Sequence, residues 1–135
     1  MARVLVVDDD HDLRQLILSR LKQAGHQAAG AGTATEALEL VAQRGAPEIA
    51  VLDVSLPDMD GYELLTRLRG DQPTHHMPAV FLSGRVGQAD IEAGQAMSAT
   101  YLTKPFVANA LMAAIERAMA AAQVATGQGA SEDGW

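Results

Sequence analysis

The sequence predicts an α/β domain built on a parallel sheet of five strands, with helices covering both faces. Five short apolar runs alternate with five segments whose apolar residues recur at helical spacing. This alternation is typical of parallel strands joined by crossover helices. Four of the five runs end on polar or charged residues. Because the carboxyl ends of parallel strands meet at one edge of the sheet, that edge is the predicted ligand site.

The first half of the chain contains three predicted strands, at residues 4–7, 27–31 and 49–52. The run 27–31 is rich in Ala and Gly, which favours an edge strand or a loop. Thr33 and Glu36 have the spacing of a capping box at the start of the second helix. Apolar residues at helical spacing mark the buried faces of the first and third helices: Leu13, Leu16, Ile17, Leu21 and Ala24, then Tyr62, Leu64, Leu65 and Leu68.

The second half contains predicted strands at residues 79–82 and 100–103. The segment between them is weakly helical and has few large apolar residues, so we expect a short or mobile helix across residues 85–97. The last helix carries Leu111, Ile115 and Met119 on one face. We therefore predict one domain over residues 1–124 and a disordered polar tail over residues 125–135.

Composition narrows the classes of function. The chain has 135 residues, enough for one self-sufficient core. Its formal net charge of −7 argues against direct binding to nucleic acid. The absence of cysteine excludes disulfides, a thiol nucleophile and a cysteine zinc site. No apolar run is long enough to span a bilayer, and the acidic start is unlike a signal peptide, so we expect a cytoplasmic protein without membrane attachment.

Charged and hydroxyl side chains stand at the predicted strand ends. Asp8 and Asp9 follow the first strand, Asp53 the third, Ser83 the fourth and Lys104 the fifth. Clustered acids raise one another's pKa unless a cation lies among them, and Mg²⁺ prefers carboxylate ligands. A serine and a lysine opposite the acids suit a phosphoryl group. Asp53 could act as an acid, a metal ligand or a nucleophile.

These residues, in this order, resemble the pattern of a response regulator receiver domain of bacterial two-component signalling. The resemblance covers about residues 3–122 and includes the typical phrases LDVSLPDMDGYEL and YLTKPF. It implies a flavodoxin-like, doubly wound (βα)5 fold with strand order 2-1-3-4-5. It also implies a phosphoacceptor, not an enzyme, that catalyses its own phosphorylation and its slow autodephosphorylation.

The resemblance assigns the acids to phosphoryl transfer. Asp53 would accept a phosphoryl group from a histidine kinase or a histidine phosphotransfer protein. Asp9 would ligate Mg²⁺ directly, Asp8 would act mainly through water, and Asp53 and the backbone carbonyl of Ser55 would complete the protein ligands. Mn²⁺ would substitute for Mg²⁺.

The resemblance assigns the remaining positions to the phosphate and the switch. Ser83, the N–H of Gly84 and Lys104 would contact the phosphoryl oxygens, and Lys104-Pro105 would be a cis peptide. Tyr101 would be the switch aromatic that turns inward on activation. The face of helix 4, strand 5 and helix 5 would then control an output protein or domain, and it would be the face for dimerisation.

Two other functions fit part of the pattern. A haloacid dehalogenase-type, Mg²⁺-dependent phosphatase would use Asp8 as its nucleophile, because Asp8 and Asp10 resemble that family's Asp-x-Asp start. Such a phosphatase needs Thr or Val two residues after Asp10, where this chain has Asp12. A degenerate receiver would act only as a binding module.

Several polar residues are expected to be structural. Asp10 is predicted to cap the first helix rather than to bind metal. Asp58 and Asp60 are predicted to be turn residues. His75 and His76 are adjacent, so their side chains diverge and a metal site there is not expected. Arg85, two residues after Ser83, is placed where the family controls water access to the acyl phosphate.

Overall fold

The computed structural model of the chain describes residues 2–70, 77–84 and 87–126. Strands and helices alternate along the chain as follows: β1 (Arg3–Val7), α1 (His11–Gln23), β2 (Gln27–Ala31), α2 (Ala34–Arg44), β3 (Ile49–Asp53), α3 (Gly61–Arg69), β4 (Ala79–Ser83), α4 (Gln88–Ala96), β5 (Ala99–Thr103) and α5 (Ala108–Thr126). The strands form one parallel sheet in the order β2-β1-β3-β4-β5. The predicted fold class and strand order are confirmed.

The register of the sheet aligns the carboxyl ends of four strands. Val7 of β1 lies beside Leu52 of β3, and Asp53 lies beside Leu82 of β4. Ser83 then lies beside Thr103 of β5. The residues that follow these strands therefore emerge at one edge of the sheet, as the sequence predicts.

Two apolar layers cover the sheet, one on each face. Alternate strand residues contribute to opposite layers because successive side chains point to opposite faces. Val4, Val6 and Val51 pack with α1 and α5, whereas Leu5, Val7 and Leu52 pack with α2 and α3. Every residue of β1 and β3 is buried, which explains why these strands appear in the sequence as continuous apolar runs.

β2 is an edge strand, one of the two alternatives that its composition allowed. Its small residues have a packing reason. A Cβ on Gly30 would lie 2.8 Å from Cδ1 of Leu18, so α1 lies directly against the strand. This contact also corrects the predicted face of α1. Leu18 is buried and Leu16 is 53% exposed, because α1 turns the side that carries Ile17, Leu18 and Leu21 toward the sheet.

An aspartate caps the start of α1, as predicted, and another caps α3, where the sequence predicted only a turn residue. The carboxylate of Asp10 accepts the N–H of Leu13 at 3.1 Å, so its prediction as an N-cap is confirmed. The carboxylate of Asp60 accepts the N–H of Glu63 at 2.8 Å. Each acid also lies at the positive end of a helix dipole, which favours its charge.

The start of α2 differs in part from the predicted capping box. Thr33 accepts the N–H of Glu36 at 3.1 Å, but the Glu36 carboxylate accepts the N–H of Gly32 at 2.7 Å rather than that of Thr33. Asp58 supplies further capping from the loop after β3: it accepts the N–H groups of Ala34 and Thr35 and the Thr35 hydroxyl. These three bonds lower the pKa of Asp58 to about 2.

The described residues end within the predicted tail and omit three predicted positions. α5 continues to Thr126, two residues past the predicted domain end, and residues 127–135 lie outside the described residues. Arg85, His75 and His76 also lie outside them. Across the described ranges, no helix combines the length and apolar character needed to cross a lipid bilayer.

α4 is a regular helix of nine residues, and the predicted mobility of this region can be tested on it. Gly94 is its one buried residue among those described. Because little apolar surface holds the helix, we expect its amides to exchange at least about 100-fold faster than those of β3. Hydrogen exchange read by mass spectrometry or NMR measures this ratio. Protection of α4 equal to that of β3 would refute the predicted mobility.

Candidate functional site

Three carboxylates meet at the carboxyl edge of the sheet. One oxygen from each of Asp8, Asp9 and Asp53 lies within 4.8 Å of the others. Asp8 is fully buried, Asp53 is 6% exposed, and Asp9 is exposed to solvent. The site is therefore a shallow acidic pocket with a buried floor and an open side. Its members are the three acids that the sequence predicts to converge.

Backbone hydrogen bonds fix the two buried carboxylates. Asp8 accepts the N–H of Asp10 at 2.9 Å through Oδ1. Asp53 accepts the N–H of Ser55 at 3.0 Å through Oδ1. Both bonds close a tight turn directly after a strand, so each side chain is held by the loop that its own strand leads into.

Lys104 brings a positive charge to the two buried acids. Its Nζ lies 2.9 Å from Oδ2 of Asp8 and 3.3 Å from Oδ2 of Asp53. The backbone N–H of Lys104 donates to the carbonyl of Ser83 at 2.7 Å, which ties the end of β5 to the end of β4. The Lys104–Pro105 peptide is cis. The lysine therefore reaches past β4 to the acids beside β1 and β3.

Burial and charge shift the proton affinities in this pocket. Burial raises the pKa of the Asp53 carboxyl, and the charge of Asp8 adds to the effect, whereas the Ser55 N–H and Lys104 oppose it. Burial alone would lower the pKa of the Lys104 ammonium, but Asp8 and Asp53 outweigh it and raise that pKa. The pocket thus keeps the lysine charged and makes a second buried negative charge costly.

The residues present fit a hard divalent cation. Oδ2 of Asp8 is buried and forms an ion pair with Nζ of Lys104 at 2.9 Å. The same ammonium also contacts Asp53, so one positive charge faces three carboxylates. Three carboxylates with one open side match the ligand preference of Mg²⁺, which keeps several waters.

Three of the other predicted positions, Ser55, Ser83 and Gly84, lie at the same edge of the sheet, whereas Tyr101 does not. Ser83 is the last residue of β4, and Gly84 follows it at the same edge. Ser55 follows Asp53 by two residues and is exposed. Tyr101 lies farther back on β5, beside Phe81 in the register, and is not part of the acidic pocket.

Tyr101 is half-buried in an aromatic cluster that joins three elements. Its ring centroid lies 5.4 Å from that of Phe81 and 6.3 Å from that of Tyr62. The hydroxyl groups of Tyr62 and Tyr101 are hydrogen-bonded, and the Tyr62 hydroxyl also lies 3.4 Å from Oδ1 of Asp90 on α4. Burial raises the pKa of Tyr101, and the bond to Tyr62 adds to that shift. The sequence near Tyr62 does not predict these contacts, because the hydrogen-bond partners of its hydroxyl lie on β5 and α4.

Comparison with known proteins decides the family. The family model described as "Response regulator receiver domain" matches residues 4–116. The chain belongs to the response regulator receiver domain family. Solved structures agree with this assignment. Chemotaxis protein CheY4 of Vibrio cholerae, 30% identical, superposes with a TM-score of 0.80 over 87% of this chain and 98% of that structure.

Two curated relatives of this receiver domain are larger proteins. The response regulator protein FleR of Pseudomonas aeruginosa is 37% identical over 118 residues, which are 86% of this chain and 24% of FleR. The virulence transcriptional regulatory protein PhoP of Salmonella typhimurium is 36% identical over 120 residues, which are 88% of this chain and 52% of PhoP. The chain thus spans about a quarter of one relative and half of the other.

Gly61 packs against the backbone of the Asp53 loop. The sequence predicted a turn at Gly61 but not this contact. The N–H of Gly61 donates to the carbonyl of Val54 at 2.8 Å. A Cβ on Gly61 would lie 2.5 Å from the Asp53 carbonyl oxygen and 3.1 Å from Cα of Val54. Both contacts are with backbone, so no side-chain rotation could relieve them. The start of α3 can approach the Asp53 loop this closely because residue 61 has no side chain.

Gly61→Ala should therefore destabilise the receiver domain and move the Asp53 loop. We expect a loss of about 1–3 kcal/mol in the free energy of unfolding, as for other insertions into tightly packed sites. Urea denaturation measures the loss. Gly84→Ala is the matched control, because nothing lies within 4 Å of a Cβ at Gly84. If the two variants lost the same stability, the close approach would not be the constraint.

Asp53→Asn should change how stability depends on pH. The raised pKa of Asp53 means that the folded chain binds this proton more tightly than the unfolded chain. The stability linked to that proton is complete below the ordinary pKa of 3.8 and is lost as the pH rises through the raised pKa. Without divalent metal, Asp53→Asn should be more stable than the wild type at neutral pH.

The gain from Asp53→Asn should shrink as the pH falls toward 3.8, where the wild-type carboxyl is also neutral. Urea denaturation across this pH range measures it, and Asp12→Asn, an exposed acid in α1, is the control. A wild type that is as stable as Asp53→Asn at neutral pH would contradict the cost of the buried charge.

Proposed function

We propose that this receiver domain accepts a phosphoryl group on Asp53 from a phosphohistidine donor, in a reaction that requires Mg²⁺. The observation that carries the proposal is the pairing of one lysine with two buried acids: Nζ of Lys104 lies 2.9 Å from Asp8 and 3.3 Å from Asp53. The donor would be a histidine kinase or a histidine phosphotransfer protein, as the family implies.

The transfer itself is a simple exchange of bonds. The bond between phosphorus and the donor histidine nitrogen breaks, and a bond between phosphorus and a carboxylate oxygen of Asp53 forms. Lys104 already lies beside Asp53, so its ammonium can pair with an oxygen of the incoming group. In the slow autodephosphorylation, water attacks phosphorus, the bond between phosphorus and the Asp53 oxygen breaks, and inorganic phosphate and the Asp53 carboxylate are released.

The metal would be held at the open side of the pocket. Asp8, Asp9, Asp53 and the carbonyl of Ser55 would supply the protein ligands. When bound, Mg²⁺ would offset the mutual repulsion of the acids and the charge on the phosphoryl oxygens. Mn²⁺ would substitute, because it also takes oxygen ligands. The convergence of one oxygen from each of the three acids within 4.8 Å supports this assignment.

Phosphorylation would act as a switch through the neighbouring strand ends. A phosphoryl group adds negative charge and three strong acceptors. The Ser83 hydroxyl and the Gly84 N–H would turn toward it, and Tyr101 would respond through the β4–β5 pairing. The face of α4, β5 and α5 would then control an output partner or domain, or pair with a second copy. We place the protein in the cytoplasm, without direct contact with nucleic acid.

The phosphatase alternative is less well supported by the geometry. It requires Asp8 as the nucleophile, yet Asp8 is fully buried and its carboxylate is held by Asp10 and faced by Lys104. Asp53 would have no role in that reaction. A degenerate binding module is also less well supported, because every position of the phosphorylation site is filled.

A small phosphodonor such as acetyl phosphate, added with Mg²⁺, tests the proposal. Intact-mass analysis should find one added phosphoryl group on the wild type and on the control Asp12→Ala, and none on Asp53→Ala. Omission of Mg²⁺ should abolish the adduct.

An adduct that persists in Asp53→Ala and is lost in Asp8→Asn would instead favour the phosphatase. If the wild type and the control gained no adduct, the degenerate binding module would be favoured.

A further inference from the structure

Arg14 of α1 reaches the acidic pocket through the backbone. Its Nη1 donates to the carbonyl oxygen of Asp8 at 2.7 Å. Its Nη2 lies 3.1 Å from Nδ1 of His11 and must be the donor there, because a guanidinium accepts no hydrogen bond. The side chain is half-buried. Hydrogen bonds from a charged donor are about twice as strong as neutral ones, so this contact fixes the Asp8 carbonyl firmly.

Two glycines make room for Arg14 at the end of β2. A Cβ on Gly30 would lie 3.2 Å from Cδ and 3.3 Å from Cγ of Arg14. A Cβ on Gly32 would lie 3.2 Å from Nη1. The arginine stem therefore crosses the edge strand at one glycine, and its head group lies against the other. The small residues of this segment serve the placement of Arg14 as well as that of α1.

The carbonyl that Arg14 binds belongs to the peptide that joins Asp8 and Asp9, the two acids that follow β1. The other side of Asp8 is also held, because its N–H donates to the carbonyl of Ala31 at 3.1 Å. Because both backbone groups of Asp8 are held, rotation of the peptide plane that leads to Asp9 is restricted. Asp9 itself is exposed, so its carboxylate depends on this backbone for its direction toward the pocket.

We propose that Arg14 is a positioning residue that orients the Asp8–Asp9 peptide for binding of a divalent cation. The inference rests on the proposed function, in which Asp9 is a direct metal ligand. The guanidinium of Arg14 binds the Asp8 carbonyl and not a carboxylate of the pocket, so it acts through the backbone. Groups that orient metal ligands typically change metal affinity about 10–100-fold when they are removed.

Binding of Mn²⁺ to the full chain, read by electron paramagnetic resonance without phosphodonor, tests this role. Arg14→Ala should raise the dissociation constant about 10-fold, the lower end of the usual range, because the effect passes through the backbone. Arg14→Lys keeps one donor and the charge and should recover part of the affinity. Arg67→Ala is the control, because Arg67 pairs with Glu63 on the exposed side of α3. This variant should bind Mn²⁺ as tightly as the wild type does.

A second variant separates positioning from general stability. Gly32→Ala would place a methyl group 3.2 Å from Nη1 and displace the guanidinium while leaving every side chain of the pocket in place. It should weaken Mn²⁺ binding in the wild type, by less than Arg14→Ala does. In the Arg14→Ala background it should have no further effect, because no guanidinium remains to be displaced.

The outcomes distinguish this inference from the function on which it rests. A wild type that binds Mn²⁺, together with an Arg14→Ala variant of equal affinity, would overturn the role of Arg14 alone. Equal weakening by Gly32→Ala in both backgrounds would also overturn it. A wild type that does not bind Mn²⁺ would overturn the metal dependence itself, and the inference with it.

Discussion

The ammonium of Lys104 is the charge on which the site depends. Asp8 and Asp53 are buried beside each other, and two buried carboxylates without a cation would be strongly unfavourable. Lys104 contacts both, at 2.9 and 3.3 Å, while its own side chain is one-quarter exposed. One lysine cannot neutralise two buried acids and the exposed Asp9. The pocket therefore keeps an excess of negative charge, which favours a further cation.

The order of the strands makes this pairing possible and gives it a consequence. Asp8 and Asp53 leave adjacent strands, whereas Lys104 leaves β5 and must reach past the end of β4. The backbone of Lys104 is bonded to the carbonyl of Ser83 on the way. Any change of charge at Asp53 therefore acts on a lysine whose main chain is joined to both β4 and β5. The site and the predicted switch share one set of strand ends.

The sequence predicted those parts of the site that depend on strand ends. Asp8, Asp9, Asp53 and Lys104 could be placed at one edge because parallel strands end together, whatever their distance along the chain. Contacts set by how helices lie on the sheet could not be predicted in this way. Leu18 rather than Leu16 is buried because Gly30 lets α1 approach β2. Asp58 caps α2 from the loop after β3. Neither Asp58 nor the start of α2 carries a local sequence signal of that contact.

The weak helical pattern of α4 has its cause in the packing of Tyr101. A Cβ on Gly94 would overlap Cε2 of Tyr101, so the backbone of the helix lies directly against the ring. An amphipathic helix would carry a large apolar side chain at such a position. Two polar contacts also hold the helix, because Asp90 faces the Tyr62 hydroxyl and the Met97 carbonyl accepts from Arg69. The Met97 side chain, at the end of the helix, packs partly buried against the core. The position of α4 is therefore set by the orientation of the Tyr101 ring more than by apolar burial of its own. Tyr101 lies on β5, and Lys104 directly follows that strand. The same strand therefore positions both the lysine of the acidic pocket and the ring against which α4 packs.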